Sequence, residues 1–322
     1  MKRLVFTAAI LVAAACPLLA ADHLAEQQLL DSARNPLDLF QSATNPFHLE
    51  VDFSVESSGP MPGHLSVKFQ SADHWWSKIE VGGFEQTTIQ VGEEQYTVRN
   101  FPFTPTMVRE VFRLLQFNVD ADLYNATRLK NRIEDGVSVS CIGAEIVGSK
   151  GNREICLDTA SHEVQSVGWQ AGPDEQDIET FRGYSDTAGT PYPKKFELQK
   201  NGKQTISASV ATLETASFDP ALLIPPKGAI ERRKCAGITP PHWVKRPEPV
   251  FYQQREEDGS ASAEITVLAD GSVGDVQIMS ASNPAIRQVV LGMFRKLKYA
   301  PAMCGSDPVV AEVEETVTFH KN

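Results

Sequence analysis

The feature of this 322-residue chain that most constrains its fold is a series of segments in which apolar and polar residues alternate. The first of them carries Phe47, Leu49, Val51, Phe53 and Val55, with one polar residue between each pair. Successive side chains of a strand point to opposite faces, so this pattern predicts a β-strand with one buried face. Similar segments recur up to residue 214 and are separated by glycine-containing turns. We therefore predict a long antiparallel sheet in which consecutive strands are neighbours.

Two helices are predicted beside these strands. Residues 22–35 form an amphipathic segment that ends before Asn35-Pro36. A second helix begins at Thr104-Pro105, and its apolar residues recur at helical spacing. This second helix is strongly apolar, which fits either a helix packed on one face of the sheet or a lid over a hydrophobic cavity.

The N-terminus predicts export. Met1-Lys2-Arg3 is positively charged, and residues 4–15 are uncharged and mostly apolar, the length of a secretory signal rather than of a membrane span. We interpret residues 1–21 as a signal peptide and expect the rest of the chain in the periplasm. Two alternatives stay open, namely an uncleaved anchor in the inner membrane and lipid attachment at Cys16.

The net charge and the cysteines restrict which partners, disulfides and metal sites can be expected. The formal net charge of −11 argues against a nucleic-acid partner, because such binding needs an excess of Lys and Arg. Beyond the signal peptide remain Cys141, Cys156, Cys235 and Cys304, which allow three disulfide pairings. We favour Cys141 with Cys156, on two neighbouring strand-like segments, and Cys235 with Cys304. No CxxC occurs and no histidine lies at ligand spacing from a cysteine, so no metal site is predicted.

A second domain is predicted after a proline-rich linker at residues 229–248. Within residues 249–322, Asp270-Gly271 marks a tight turn between two alternating segments, and Asn283-Pro284 begins an amphipathic helix. A last alternating segment follows at 309–319. The predicted order is therefore β-β-α-β, with the helix packed on a small antiparallel sheet.

This order and these residues resemble the TonB C-terminal domain over about residues 240–320. The matching segments are Pro249-Val250-Phe251-Tyr252, residues 263–268, residues 270–278, residues 294–302, residues 305–309 and Val317-Thr318-Phe319. The resemblance implies a periplasmic module that binds a short extended peptide, the TonB box of an outer-membrane transporter, by adding it as a strand. Phe251-Tyr252 replaces the Tyr-Pro of the family, and the long Pro/Glu/Lys spacer is missing. A binding protein is therefore a better expectation than an energy transducer.

The resemblance also places the peptide site. A final strand at a sheet edge leaves backbone donors and acceptors free, so a peptide can pair with it. We predict the site on that strand and on the preceding segment 245–252. The predicted peptide-binding residues are Lys245, Arg246, Pro249, Phe251, Tyr252, Val309, Val310, Val313, Val317 and Phe319. The same edge offers a second hypothesis, a homodimer formed by pairing two copies.

Residues 22–228 resemble, more loosely, the LolA group of periplasmic lipoprotein and lipid carriers. The similarity lies in an N-terminal helix, a long antiparallel meander with an inserted helix, and the closing segment 218–226. It implies a curved half-barrel whose apolar inner face holds acyl chains. The predicted lipid-binding residues are Val51, Phe53, Leu65, Val67, Phe69, Trp76, Ile79, Phe112 and Leu115. The same residues also fit a filled core, because alternation alone does not distinguish the two.

For the whole chain we predict the α+β class, with a β-rich half-barrel followed by the small β-β-α-β domain. No nucleophile elbow, phosphate-binding loop or dinucleotide motif occurs, so neither catalysis nor a cofactor is predicted. The main hypothesis is a protein-interaction module in TonB-type outer-membrane transport. The alternative is a periplasmic carrier of lipid or lipoprotein.

Overall fold

A computed structural model of the chain describes residues 24–33, 39–56, 59–101, 104–116, 119, 121–147, 152–172, 175–186, 189–233, 235, 237–245 and 259–319. The predicted signal peptide and most of the segment preceding the C-terminal strands lie outside these residues. In the described part of the chain, no helix is long and apolar enough to cross a membrane.

The structure is mostly β. The described residues form four α-helices, namely α1 (Leu24–Ser32), α2 (Leu39–Ser42), α3 (Thr106–Leu115) and α4 (Pro284–Phe294). The strands of the N-terminal half are β1 (Phe47–Glu56), β2 (Pro60–Ser71), β3 (His74–Val81), β4 (Phe84–Val91), β5 (Glu94–Arg99), β6 (Tyr124–Glu134), β7 (Val137–Ile146), β8 (Asn152–Asp158), β9 (Val164–Gly172), β10 (Glu175–Arg182), β11 (Ser185–Asp186), β12 (Pro191–Tyr192), β13 (Lys195–Lys200) and β14 (Lys203–Thr215). After them come β15 (Ile230–Arg233), β16 (His242–Lys245), β17 (Gly259–Val267), β18 (Val273–Ala281), β19 (Lys298–Ala300), β20 (Ala302–Cys304), β21 (Asp307–Val309) and β22 (Ala311–Phe319).

The N-terminal strands other than β11 and β12 form, together with β15, one open antiparallel sheet of 13 strands, in the order β15-β5-β4-β3-β2-β1-β14-β13-β10-β9-β8-β7-β6. Strands β11 and β12 pair with each other in a separate sheet. Neighbours in sequence are mostly neighbours in the sheet, as the meander predicted. The exceptions are β13, which pairs with β10, β15, which pairs with β5, and β14, which returns to pair with β1 and so joins the two halves of the sheet. The chain is thus predominantly β with open sheets, rather than an even mixture of helices and strands.

One face of this sheet, the core face, carries the helices. Val108, Val111, Leu114 and Leu115 of α3 are buried against it. The last turn of α3 is also held by a hydrogen bond, since the Tyr192 hydroxyl donates to the backbone oxygen of Leu115 at 2.8 Å. Because α3 has its apolar residues on one side, packing on the sheet buries them, while Arg113 is exposed and Arg109 and Glu110 are partly buried.

The segment predicted as a linker, residues 229–248, contains two strands. β15 pairs antiparallel with β5 and forms one end of the large sheet. β16 pairs with β19 of the C-terminal half. Both strands have only four residues, too few for a periodic pattern to be visible in the sequence.

A second core lies in the C-terminal half. The sheet has the order β18-β17-β22, and α4 packs on one of its faces through Ile286, Val290, Met293 and Phe294. Asn283 caps α4 as predicted, since its side-chain oxygen accepts from the backbone N–H of Ile286 at 2.9 Å. The predicted β-β-α-β order is present, with the short strands β19, β20 and β21 inserted after α4.

The structure pairs the cysteines as the sequence favoured. Cys141 and Cys156 lie directly opposite each other on β7 and β8, and Cys235 is joined to Cys304 of β20. The second disulfide ties the chain that follows β15 to the C-terminal half. Both pairings thus link segments that backbone hydrogen bonds already bring close together.

Candidate strand-addition site

The final strand β22 lies at the edge of the C-terminal sheet. It pairs with β17 over its whole length, from Ala311 opposite Val267 to Phe319 opposite Gly259. No other described strand is hydrogen-bonded to it. Backbone donors and acceptors along one side of β22 are therefore available for pairing with an added strand.

The two faces of β22 differ in character. Val313, Val317 and Phe319 pack toward α4 and belong to the C-terminal core. Glu315 shares this face, and the Tyr299 hydroxyl donates to its carboxylate at 3.3 Å, which explains how a charge is accommodated among apolar residues. Burial raises the pKa of Tyr299, so its hydroxyl keeps the proton that it donates.

The opposite face of β22 is acidic and faces the N-terminal half. Glu312 forms an ion pair with Arg232 of β15. On the neighbouring strand β17, Glu264 forms an ion pair with Arg109 of α3, and both side chains are largely buried. The edge strand is therefore held against the large sheet by charge pairs that the sequence analysis did not anticipate. Residues so far apart in the chain give no local signal of their pairing.

A methionine also lies at this contact between the C-terminal sheet and the N-terminal half. The side chains of Thr106 and Arg109 approach the sulfur of Met279, on β18, at 3.5 and 3.6 Å. Burial is the main cause of a lowered pKa of Arg99, and the positive charge of Arg232 is the second cause. Glu312 and Asp275 oppose that shift. The acidic face of the small sheet thus meets a cluster of arginines contributed by β5, α3 and β15.

The predicted peptide-binding residues are distributed as follows. Val313, Val317 and Phe319 lie on β22, whereas Val309 ends β21 and Val310 lies between the two strands. The backbone of Lys245 belongs to β16. The predicted residues Arg246, Pro249, Phe251 and Tyr252 lie outside the described residues.

The predicted lipid-binding residues form a packed core. Val51, Phe53, Leu65, Val67, Phe69, Ile79 and Leu115 are at most 5 % exposed and contact one another in the N-terminal core, with Phe112 partly buried beside them. The prediction that Trp76 shares this face was wrong. It lies on the face opposite Ile79, because residues an odd number of positions apart in a strand point to opposite faces. Trp75 takes the core-facing position instead.

A buried carboxylate on the core face was not predicted. Glu179 of β10 is completely buried, and Arg113 of α3 approaches it at 3.1 Å. The Arg113 and Arg153 guanidinium groups lie 5.0 and 5.2 Å from the ring centroid of Trp169. Burial raises the pKa of Glu179 to about 7, although both arginines act in the opposite direction.

Together, these observations describe a β-rich protein with two packed cores and, among the described strands, an edge strand β22 that pairs only with β17. Residues 249–320 match the family described as Gram-negative bacterial TonB protein C-terminal. This match agrees with the resemblance predicted from the sequence. No curated protein matches the chain.

Solved structures similar to the chain include a LolA superfamily protein from Nitrosomonas europaea, with 8% identity, a TM-score of 0.40, and coverage of 62% of this chain and 96% of the other. A DUF1329 family protein from Desulfovibrio piger has 10% identity, a TM-score of 0.42, and coverage of 62% and 96%. The MucA/MucB complex of Pseudomonas aeruginosa has 9% identity, a TM-score of 0.30, and coverage of 76% and 81%. Likeness at this level does not identify a ligand.

Proposed function

We propose that this chain is a non-enzymatic protein of the bacterial envelope whose C-terminal module binds an extended peptide by strand addition to β22. The observation that carries the proposal is the free edge of β22, which pairs with β17 on one side only among the described strands. Main-chain hydrogen bonds along such an edge supply affinity, and alternate side chains supply selectivity. The core-facing Val313, Val317 and Phe319 fix the twist and position of the edge.

The proposed partner is the TonB-box segment of an outer-membrane transporter, which places the protein in the periplasm in TonB-type transport. The family match over residues 249–320 supports this choice of partner. The packing of β17 and α3 through Glu264 and Arg109 supports a binding module carried on a rigid support. Such a support limits the entropy lost when a peptide is ordered on the edge.

The test measures binding of synthetic TonB-box peptides to the full chain by fluorescence anisotropy. Each peptide is also made with backbone N-methyl groups at even or at odd positions, which leaves the side chains unchanged. Strand addition uses only the N–H groups on one side of the peptide, so one methylated series loses binding at least tenfold and the other retains it. Equal binding by both series, or no binding by any peptide, contradicts the proposal.

A second candidate function, transport of lipid or lipoprotein, is favoured by one observation. A single amphipathic helix, α3, covers part of the apolar core face of the sheet, on which Val51 and Val67 lie. Displacement of α3 would expose these residues to an acyl chain. Native mass spectrometry of gently purified full chain tests this, and a mass equal to that of the polypeptide alone counts against it.

A further inference from the structure

The far end of the large sheet also presents a free edge. Among the described strands, β6 is hydrogen-bonded to β7 alone. Its first residues are covered, because α1 packs there and the backbone N–H of Ala126 donates to the Gln27 side chain at 3.1 Å. Every residue from 128 to 133 is exposed. Since an uncovered edge can pair with another strand, one half of this edge is protected and the other half is open.

The open half alternates between cationic and apolar side chains. Arg128, Lys130 and Arg132 are paired in register with Gly143, Cys141 and Val139, so they lie on the sheet face that carries the Cys141–Cys156 disulfide, opposite the large N-terminal core. Leu129 and Ile133 lie on the other face, where they are 40% and 74% exposed. A strand added to this edge would cover these exposed apolar side chains.

The charges on this edge are only partly neutralised. Arg132 and Arg128 reach back toward Glu154 on β8, at 2.7 and 3.7 Å, and Arg132 also pairs with Glu134. Lys130 has no ion pair among the described residues. A cationic edge is unexpected in a chain with a net charge of −11. It favours a partner strand with acidic side chains opposite Lys130.

We propose that the edge of β6 from Arg128 to Ile133 binds an extended segment of another protein in which acidic and apolar residues alternate. The acidic residues pair with the cationic face, and the apolar residues cover Leu129 and Ile133. Strand β22 of a second copy has a comparable alternation. Contact between β6 and β22 of different copies is heterologous, however, and extends into open chains unless its rotation closes a ring. A different protein is therefore the better occupant.

The test uses the full chain and two nine-residue peptides. One has the sequence of residues 311–319, with its three glutamates, and the other replaces those glutamates with lysine. At low salt the glutamate peptide binds at least tenfold more tightly, and added salt reduces this preference. Hydrogen exchange of the amides at 128–133 slows when it binds. Equal affinity for both peptides, or binding without protection at 128–133, overturns the proposal.

Two matched variants test whether the preference for the glutamate peptide arises at the edge of β6. Lys130→Glu inverts the preference between the two peptides, whereas Lys195→Glu, at an exposed position on β13 within the sheet, leaves it unchanged. An equal effect of both variants overturns the proposal, because it reports only the net charge. Analytical ultracentrifugation without peptide provides the last control. Self-association that Lys130→Glu abolishes assigns the edge to a second copy and overturns binding of a different protein.

Discussion

Glu179 is the residue whose environment departs furthest from that of an ordinary carboxyl group. It shares the core face of β10 with Phe181 and has no solvent exposure. Arg113 of α3 partly compensates the buried negative charge, because its guanidinium lies 3.1 Å from the carboxylate. Arg153 acts in the same direction as Arg113, but burial of the charge outweighs both arginines and raises the pKa of Glu179 to about 7.

This pKa predicts a dependence of stability on pH. Between the ordinary value of 4.5 and about 7, the folded protein holds a proton on Glu179 that the unfolded chain has released. The free energy of unfolding therefore falls as pH rises through this window and levels off above it. At about 1.4 kcal/mol per pKa unit, the contribution of this group is on the order of 3 kcal/mol. Urea unfolding monitored by tryptophan fluorescence between pH 4.5 and 8 measures it.

Two glutamine variants separate this effect from other titrations. Glu179→Gln preserves the shape of the side chain but does not titrate, so the decrease in unfolding free energy across the window becomes smaller by about the amount assigned to Glu179. Glu145→Gln, at an exposed position of β7, leaves the decrease unchanged. A Glu179→Gln protein with the full wild-type decrease would show that other groups cause it.

At the scale of elements, the turn between β17 and β18 carries the sharpest steric constraint. Gly271 has a φ of +77°, and a Cβ at this position would lie 2.0 Å from the backbone oxygen of Tyr299. The contact is close because the Tyr299 N–H donates to the Gly271 oxygen at 2.9 Å. The turn is thereby fixed to β19, the strand that follows α4.

Gly271→Ala is therefore expected to lower the free energy of unfolding by at least ~2 kcal/mol, because left-handed backbone strain and a backbone clash add. Gly202→Ala is the matched control. Gly202 also has a positive φ, of +72°, but no atom lies within 4 Å of the added Cβ. The control is expected to lose only ~1 kcal/mol. Equal losses in urea unfolding would show that the contact with Tyr299 relaxes at little cost.

The elements that the sequence predicted best are those with a regular pattern of buried residues. β1 and β2 are evident because every second residue is apolar and faces the core. Trp76 was placed on the wrong face, although its odd separation from Ile79 excludes a shared face in one strand. β15 has no apolar alternation, since Ile230 is its only apolar residue. Its position depends on pairing with β5, which is distant in the chain.

The candidate site also has parts that the sequence predicted and parts that it did not. The edge strand was predicted from its alternation and its family resemblance, and β22 was found within two residues of the predicted start. The residues that support it were not predicted, because Arg109 and Arg232 are distant in the chain from Glu264 and Glu312 and meet them only in the tertiary structure. Charged residues on amphipathic elements look like solvent-exposed residues in a sequence. Tertiary packing alone decides which of them become buried partners.

At the scale of the whole molecule, the two cores are joined by the charged contact between α3 and the C-terminal sheet. Arg109 and Glu264 are each less than one-third exposed and form an ion pair, and Met279 packs beside Arg109. Removing one partner of a partly buried pair leaves the other charge without compensation. Loss of Arg109 should therefore open the contact and expose Met279 to solvent.

Oxidation by dilute hydrogen peroxide measures this opening, because a methionine sulfur reacts faster when it is accessible. Arg109→Glu places like charges against each other, and we expect severalfold faster sulfoxide formation at Met279. Met293, on the core-facing side of α4, should react at an unchanged rate and serves as the internal control. Adding Glu264→Arg in the same chain restores opposite charges, so Met279 should return toward its original rate. Faster oxidation at both methionines would instead indicate general unfolding, and an unchanged rate at Met279 would show that apolar packing holds the two parts together without the ion pair.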